Sequence, residues 1–161
     1  MAVLQDSGRI VLARAVAAQA IHLAWGRGSP AWDAAPQPEP TNATALVDEI
    51  GRRAVTQLGY VLPDENGEIE LPSGARYTAV AGPTRWLYVR FTFNFSDAAG
   101  EAIRELAIFV GTQAAAGVPA GQRYLTPAEV ANHGDLYALE RLPKFTRNGD
   151  VRQVFDYVLP F

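Results

Sequence analysis

The sequence predicts an α+β fold, a mostly antiparallel β-sandwich with an N-terminal helix and one or two short helices. Three observations lead to this class: an alanine-rich segment with helical spacing near the start, several later segments that alternate apolar and polar residues, and turn signals between them. The length of 161 residues suits a single domain, residues 1–161, because domains most often have about 100–150 residues. No internal repeat or break in composition divides the chain.

The N-terminal third predicts two helices, a strand and a loop. Asp6 and Ser7 can cap the first helix, whose apolar residues recur at helical spacing. Ile21–Trp25 alternates and predicts a strand. Four prolines within Ser29–Pro40 predict a loop that is mobile on its own, because proline joins neither a helix interior nor a central strand. A second short helix is predicted at Ala45–Ile50.

The remainder of the chain predicts mainly strands. The clearest is Arg85–Phe95, which places on one face Leu87, Val89, Phe91, Phe93 and Phe95. Burying such side chains stabilises a fold by about 1.5–3 kcal/mol each, so this strand is predicted to form the centre of the core. A turn is predicted at Asp64–Gly67 and a single helical turn after Thr126. Further strands are predicted at Glu68–Leu71, Ile103–Val110, Asp135–Leu142 and Val151–Phe161.

Composition narrows the possible functions. The chain has no cysteine and two histidines, His22 and His133, so the sequence indicates no thiolate chemistry and no metal site. No nucleophile pattern or phosphate-binding loop is present, and we predict no catalytic residue, no cofactor and no enzyme activity. The net charge of −3 argues against nucleic acid, and no apolar run approaches the roughly 18 residues of a membrane span. Charged residues make up only 19%, which suggests that a partner covers part of the surface.

Two alternative functions remain open at this point. Trp25, Trp32 and Trp86 could serve a small carbohydrate- or receptor-binding module. Glu101 and Glu105 could form the carboxylate pair of a glycoside hydrolase, which requires a separation of about 5–9.5 Å.

Four segments, in order, resemble the tail-collar or baseplate-attachment module at the N-terminus of tail fibre proteins of tailed bacteriophages. The first, Asp6-Ser7-Gly8, opens the N-terminal helix, and the second, Leu23–Gly28, ends a strand at two glycines. The third, Pro38–Arg52, contains a Pro-Thr and a Thr-Ala-Leu pattern and ends in arginine. The fourth, Ala102–Phe109, is a strand that contains Ile-Arg-Glu. Relative to this family, residues 111–134 form an insertion, and Gly26, Gly28, Arg104 and Glu105 are the structural residues of the motifs.

The resemblance implies a non-enzymatic structural protein of a phage tail, at the baseplate, tail tip or fibre attachment. Its partners would be other tail and baseplate proteins, together with further copies of itself in a symmetric ring or trimer. The implied location is the virion tail, after assembly in the cytoplasm of the host bacterium.

Two long connections, Ser29–Pro40 and Gly111–Gly134, are predicted to make the contacts between subunits. Long connections in compact domains are usually functional or disordered. Their few large side chains, together with one aromatic residue on the polar face of the Arg85–Phe95 strand, are predicted as interface anchors because aromatic residues dominate interface energetics. These anchors are Trp32, Tyr124, Leu125 and Trp86.

Arg104 and Glu105 are neighbours on a predicted strand and must lie on opposite faces. We predict that Glu105 shares its face with Ala107 and Phe109, while Arg104 lies on the side of Leu106. If Arg104 is buried, it requires a carboxylate or several carbonyl groups as partners, because an unpaired buried charge costs several kcal/mol.

Overall fold

The structure, a computed structural model, describes residues 1–161 and contains one α-helix, two 3₁₀ turns and twelve strands. The helix α1 spans Asp6–Ala17, and the 3₁₀ turns span Pro30–Asp33 and Pro127–Glu129. The strands, numbered in chain order, are β1 Ile21–Gly26, β2 Glu49–Ala54, β3 Gln57–Pro63, β4 Ile69–Glu70, β5 Arg76–Val80, β6 Trp86–Phe93, β7 Ala102–Val110, β8 Gln113–Ala114, β9 Tyr124–Leu125, β10 Val130–Asn132, β11 Asp135–Thr146 and β12 Gln153–Pro160.

The chain forms two compact units. The first unit comprises Met1–Gln19, Val55–Phe91 and Val154–Phe161, and it contains α1 and a sheet of order β12-β6-β3-β5-β4. The second comprises Ala20–Ala54 and Thr92–Gln153, with a sheet of order β11-β7-β1-β2-β9 and the small pair β10-β8. Neighbouring strands of the second unit all run antiparallel, as do β4-β5, β5-β3 and β3-β6 of the first. The predicted α+β class with mostly antiparallel sheets is confirmed.

The N-terminal helix is present, but its predicted caps are wrong. Asp6 and Ser7 lie inside α1, the N-cap is Gln5, and no side chain accepts a bond from the first turn. Asp6 instead places a carboxylate near the positive end of the helix dipole. Of the residues of α1, only Ala13 is fully buried, so most of the helix surface faces outward.

The predicted second helix at Ala45–Ile50 is wrong, because Glu49–Ala54 is β2. Its residues complete the ladder of β1, with Ala24 opposite Arg52. Just before β2, the side chain of Leu46 is buried against Ala24 and its neighbours in the core. Pairing with a neighbouring strand and burial of one apolar anchor therefore outweigh the local helical pattern.

The central strand is confirmed, except at its C-terminal end. The apolar face is fully buried at Leu87, Val89, Phe91 and Phe93. Phe95, predicted to belong to the same face, lies outside β6 and is 47% exposed. The strand ends here because the chain turns at Asn94, whose N–H group donates to the carboxylate of Asp97 at 2.7 Å.

Two other predictions need correction. The sequence predicts Glu68–Leu71 as a return strand after the Asp64–Gly67 turn. In the structure β3 pairs instead with β5, and the two residues of β4 pair with the other edge of β5. The stretch 111–134 contains β8, β9, β10 and a 3₁₀ turn with the expected capping box of Thr126 and Glu129. These short elements give the stretch regular structure that its small side chains do not indicate.

Candidate functional site

The four residues singled out from the motifs come together where β1 ends and β7 begins. Gly26 lies opposite Glu105 in the β1–β7 ladder, and a Cβ atom at Gly26 would lie 2.6 Å from a carboxylate oxygen of Glu105. Gly28 has a φ of +57°, and a Cβ there would lie 2.3 Å from the ring of Trp32 and 3.2 Å from the Cβ of Arg104. Both glycines are therefore needed for close approach of their neighbours.

Arg104 is buried and fully paired. It is 6% exposed, and its Nε and Nη2 donate to the two carboxylate oxygens of Asp33 at 2.7 and 2.8 Å. Its Nη1 donates to the carbonyl oxygen of Arg27 at 3.0 Å. The hydrogen bonds from Arg104 hold the pKa of Asp33 below its usual value. The requirement that a buried Arg104 has acceptors is confirmed.

Glu105 is 1% exposed and binds a different part of the chain. Its Oε1 accepts hydrogen bonds from the backbone N–H groups of Val47 at 2.8 Å and Asp48 at 3.3 Å. Burial raises the pKa of Glu105, while these two bonds act in the opposite direction. Arg104 thus binds the proline-rich segment, and Glu105 binds the two residues that precede β2.

The proline-rich segment Ser29–Pro40 is tied to its own unit, in contrast to the mobile loop expected from its prolines. Besides the Asp33 pair, Nη1 of Arg141 donates to the carbonyl oxygen of Pro38 at 2.7 Å. The backbone N–H of Arg141 donates to Glu39 at 2.9 Å, and its guanidinium carbon lies 4.2 Å from the centre of the Trp32 ring. Two arginines therefore hold this segment along its length.

A bulge in β11 lies opposite this segment. Arg141 pairs with Glu105 and Phe145 pairs with Ile103, so residues 142–144 of β11 face only Arg104 of β7. A bulge of this kind bends the strand and redirects its side chains. The bulge and the proline-rich segment enclose a cavity of about 390 Å³, which we call the groove; its main residues are Trp32, Asp33, Pro36, Glu39 and 141–144.

The other predicted anchors pack within their own units. The Tyr124 hydroxyl accepts a hydrogen bond from Nε1 of Trp25 at 3.1 Å, and its ring meets those of Trp25 and Phe93 edge-on. Leu125 is 3% exposed. Trp86 lies in the first unit, half-buried, with the guanidinium of Arg85 5.0 Å from its ring centre. The interface role of these residues stays a prediction, and only Trp32 lines the groove.

The alternative functions find little support in the geometry. Trp25 is fully buried and stacks on Phe93 with ring centres 3.6 Å apart, so its faces are not open to a sugar. Glu101 is engaged by Arg27 through bonds of 2.7 and 2.8 Å, and Glu105 is bound by backbone N–H groups. No group of three or more His, Asp or Glu side chains is arranged to hold a metal ion. None of the helices combines the length and apolar character of a membrane span.

Sequence reasoning missed one large polar cluster, centred on the fully buried Arg52. Its Nε and Nη2 donate to the two oxygens of Glu49, both at 2.8 Å. Its Nη1 donates to Thr112 and to the carbonyl oxygen of His133, also at 2.8 Å, and its guanidinium carbon lies 4.1 Å from the Phe109 ring centre. The available signal was the Glu-x-x-Arg spacing that closes the third resembling segment.

His22 is expected to make folding sensitive to pH. It is 8% exposed, its Nδ1 has no hydrogen-bond partner, and burial together with the positive charges of Arg52 and Arg123 lowers its pKa from 6.5 to about 4. Between those pH values the unfolded chain binds a proton that the folded chain does not. Stability due to the neutral ring is therefore complete above pH 6.5 and is lost as the pH falls, by about 3 kcal/mol at pH 4.

The measurement is urea unfolding of the wild-type chain and of His22→Gln across this pH range. Subtracting the two curves removes the contribution of the carboxylates. The wild type should lose stability relative to His22→Gln as the medium is acidified, and parallel curves would show that His22 does not carry this proton.

The fold is thus rich in antiparallel β-strands, and its second unit carries a groove built from an ordered proline-rich segment and a bulged strand. The family described as the baseplate wedge 3 tail fiber network component matches the chain over residues 1–161, and the chain belongs to that family. It is a structural component of a bacteriophage baseplate, and its place is the virion tail. The resemblance to a baseplate-attachment module is confirmed. Comparison with curated proteins finds no match.

Proposed function

We propose that this protein is a non-enzymatic attachment piece of the baseplate wedge, and that the groove binds a neighbouring tail protein within the fibre network. The observation that carries the proposal is the fixed proline-rich segment, held by Arg104 and Arg141. A loop that is already ordered loses little conformational entropy when a partner binds. In this proposal the two arginines hold a surface ready for docking.

The groove has the chemistry of a protein interface. Trp32, Leu142 and Pro143 supply apolar area, and Arg141, Lys144 and the two acidic residues supply polar contacts around it. Tryptophan and arginine are the residues most often found at the energetic centres of interfaces. Trp32 is half-buried in the single chain, so part of its surface remains for a partner to cover.

A second surface in the first unit also suits partner contacts. Four large apolar side chains on α1 and β3 are exposed by 38–60%; these are Val11, Leu12, Leu58 and Leu62. Scattered apolar residues are common on surfaces, but Val11 of α1 and Leu58 of β3 line one open cavity, and a continuous apolar surface is typical of an interaction site. We propose that the protein uses both surfaces in assembly, which takes place in the host cytoplasm before the tail is complete.

The test replaces Trp32 with alanine and measures incorporation into phage particles and thermal unfolding of the purified chain separately. Trp32→Ala should reduce incorporation about tenfold or more, because central tryptophans at interfaces often contribute at least 2 kcal/mol. The matched control is Phe95→Ala, which removes another partly exposed aromatic residue that lies beneath an arginine, with the guanidinium carbon of Arg152 5.0 Å from its ring centre.

Normal incorporation of Trp32→Ala would contradict the proposal. A loss of thermal stability large enough to explain the incorporation defect would also contradict it, because Trp32 would then act by stabilising its own unit. Equal defects in Trp32→Ala and Phe95→Ala would show that the effect is not specific to the groove.

A further inference from the structure

We propose that the outward face of helix α1 binds the α1 helix of a second copy of this chain, with the two helices antiparallel across a two-fold axis. This inference rests on the proposed function, in which the apolar surface on α1 and β3 takes part in assembly. It adds the partner that covers this surface and the direction in which the two helices pack.

The outward face of α1 carries no charge. Leu4, Gly8, Val11, Ala15 and Ala18 follow one another at spacings of four, three, four and three residues, and all are exposed or partly exposed. The charged residues of the helix occupy other positions; they are Asp6, Arg9 and Arg14. A helix face turned to water is normally polar, whereas this spacing is that of the residues along the seam of a coiled coil. The pattern therefore points to another helix as the partner of this face.

The face combines large and small side chains. Val11 is 60% exposed, and its neighbour Leu12 is 47% exposed. Leu4 precedes α1, but its side chain lies on the first turn, since a Cβ atom at Gly8 would be 2.8 Å from Cδ1 of Leu4. The face thus has a large residue at its N-terminal end, two at its centre, and only small apolar residues in its C-terminal half.

This order of sizes fits an antiparallel pair of identical helices. When Val11 and Leu12 of both copies meet at the axis, Gly8 of one copy lies opposite Ala15 of the other. Leu4 of one copy then lies beside Ala18 of the other. Large residues therefore meet small ones at both ends, as close packing requires. A parallel pair would place the alanines opposite their own copies and leave a gap there, with a loss of van der Waals contact.

An open cavity lies beside the C-terminal half of α1, at the place that the antiparallel arrangement assigns to the N-terminal residues of the other copy. It measures about 690 Å³, and its apolar lining comes from α1 and β3: Val11, Ala15, Ala17, Ala18, Leu58 and Tyr60. Val3 and Leu4 are apolar, are at least half exposed and precede the helix. Across a two-fold axis each copy both fills this cavity and has its own cavity filled, which makes the contact isologous.

The contact is small. A helix of twelve residues is about 18 Å long, so one helix pair buries less than the roughly 1,200 Å² of a stable interface. The free chain should therefore form the pair weakly. The same contact becomes effective when copies are held close together in a baseplate, because their local concentration is then high.

The experiment measures self-association of the purified full-length chain by sedimentation velocity over a wide range of protein concentrations. The wild type should form a dimer as the concentration rises, and added salt should not dissociate it, because the contact is apolar. Val11→Glu and Val11→Lys should each weaken dimer formation about tenfold or more, since each places two like charges beside the axis. The matched control is Val151→Glu, which makes the same change at another half-exposed valine and should behave as the wild type.

Mixing the variants tests the two-fold axis and the direction of the helices. Because Val11 of one copy lies beside Val11 of the other, an equimolar mixture of Val11→Glu and Val11→Lys should form mixed dimers. The chain has no cysteine, so a single introduced cysteine can form only an intermolecular disulfide. Leu4→Cys and Ala18→Cys should cross-link mainly to each other when mixed, whereas in a parallel pair each variant would cross-link to itself.

A wild type that stays monomeric at every concentration would overturn the inference, as would a charged mixture that does not recover or cysteine variants that cross-link only to themselves. Equal effects of Val11→Glu and Val151→Glu would also overturn it. If the wild type is monomeric while Val11→Glu fails to enter phage particles, this surface binds a different baseplate protein and the proposed function stands. If the dimer forms as expected while both Val11→Glu and Trp32→Ala enter particles normally, the pairing of α1 stands and the proposed function is wrong.

Discussion

Replacing Asp33 with alanine is expected to lower the free energy of unfolding measurably, because it removes the counter-charge of a buried arginine. The variant leaves the buried guanidinium of Arg104 without the two oxygens that it now binds at 2.7 and 2.8 Å. The Asp33 carboxylate is itself 35% exposed, so the loss should be smaller than that from breaking a fully buried ion pair. Urea unfolding of the purified variant measures the change.

The same substitution should also release the proline-rich segment from one of its two points of attachment. Faster hydrogen exchange at the backbone amides of Ala31 and Trp32, the latter now bonded to the Ser29 carbonyl oxygen at 3.0 Å, would report this release. The control is Asp48→Ala, which removes a largely exposed pair with Arg27 and should cost less than about 1 kcal/mol. If Asp33→Ala lowers the free energy of unfolding no more than Asp48→Ala does, the ion pair between Arg104 and Asp33 has no special structural role.

The parts of the fold that the sequence predicted are those whose pattern is local. The alternation along β6 identifies a strand without knowledge of its neighbours, because a strand turns successive side chains to opposite faces. The capping box at Thr126 is equally local, since its partners are three residues apart. The same reasoning failed at residues 45–50, where the helical pattern is local but the pairing with β1 is not.

The candidate site was predicted in part. Gly26, Gly28, Arg104 and Glu105 were picked out through the resemblance, and they do converge on one end of two neighbouring strands. The groove itself could not be foreseen, because the bulge in β11 depends on pairing with β7 and the contact of Arg141 with Pro38 joins residues 103 positions apart. Nothing in a single sequence reports such a pairing.

Arginine is the residue on which the polar interior of the second unit depends. Thirteen of the fourteen basic residues are arginine, and Arg52, Arg104 and Arg147 are each at least 94% buried. A guanidinium offers five N–H donors in a planar arrangement, so one buried side chain can join several distant carbonyl and carboxylate groups. Three of the fourteen basic residues are therefore placed in the interior and not on the surface.

Replacing Glu49 with alanine is expected to have the largest effect on stability, a loss of about 3–5 kcal/mol, because it leaves the guanidinium of Arg52 buried without its counter-charge. The bonds of Arg52 to Thr112 and to the His133 carbonyl oxygen involve neutral acceptors and cannot neutralise it. Urea unfolding again measures the loss.

The decisive comparison for Glu49 is a double-mutant cycle. Arg52→Met alone leaves the Glu49 carboxylate, whose side chain is 10% exposed, without its cation, and should also be destabilising. The cycle therefore takes Glu49→Leu and Arg52→Met as its two single variants. Glu49→Leu/Arg52→Met removes both charges and replaces them with apolar groups of similar length, an exchange that is often nearly neutral for buried pairs. The double variant should therefore be more stable than the sum of the single losses predicts, by 1 kcal/mol or more, roughly the size of coupling found between contacting residues. Additive losses would mean that Arg52 and Glu49 contribute independently and that packing on Phe109 carries the effect of Arg52.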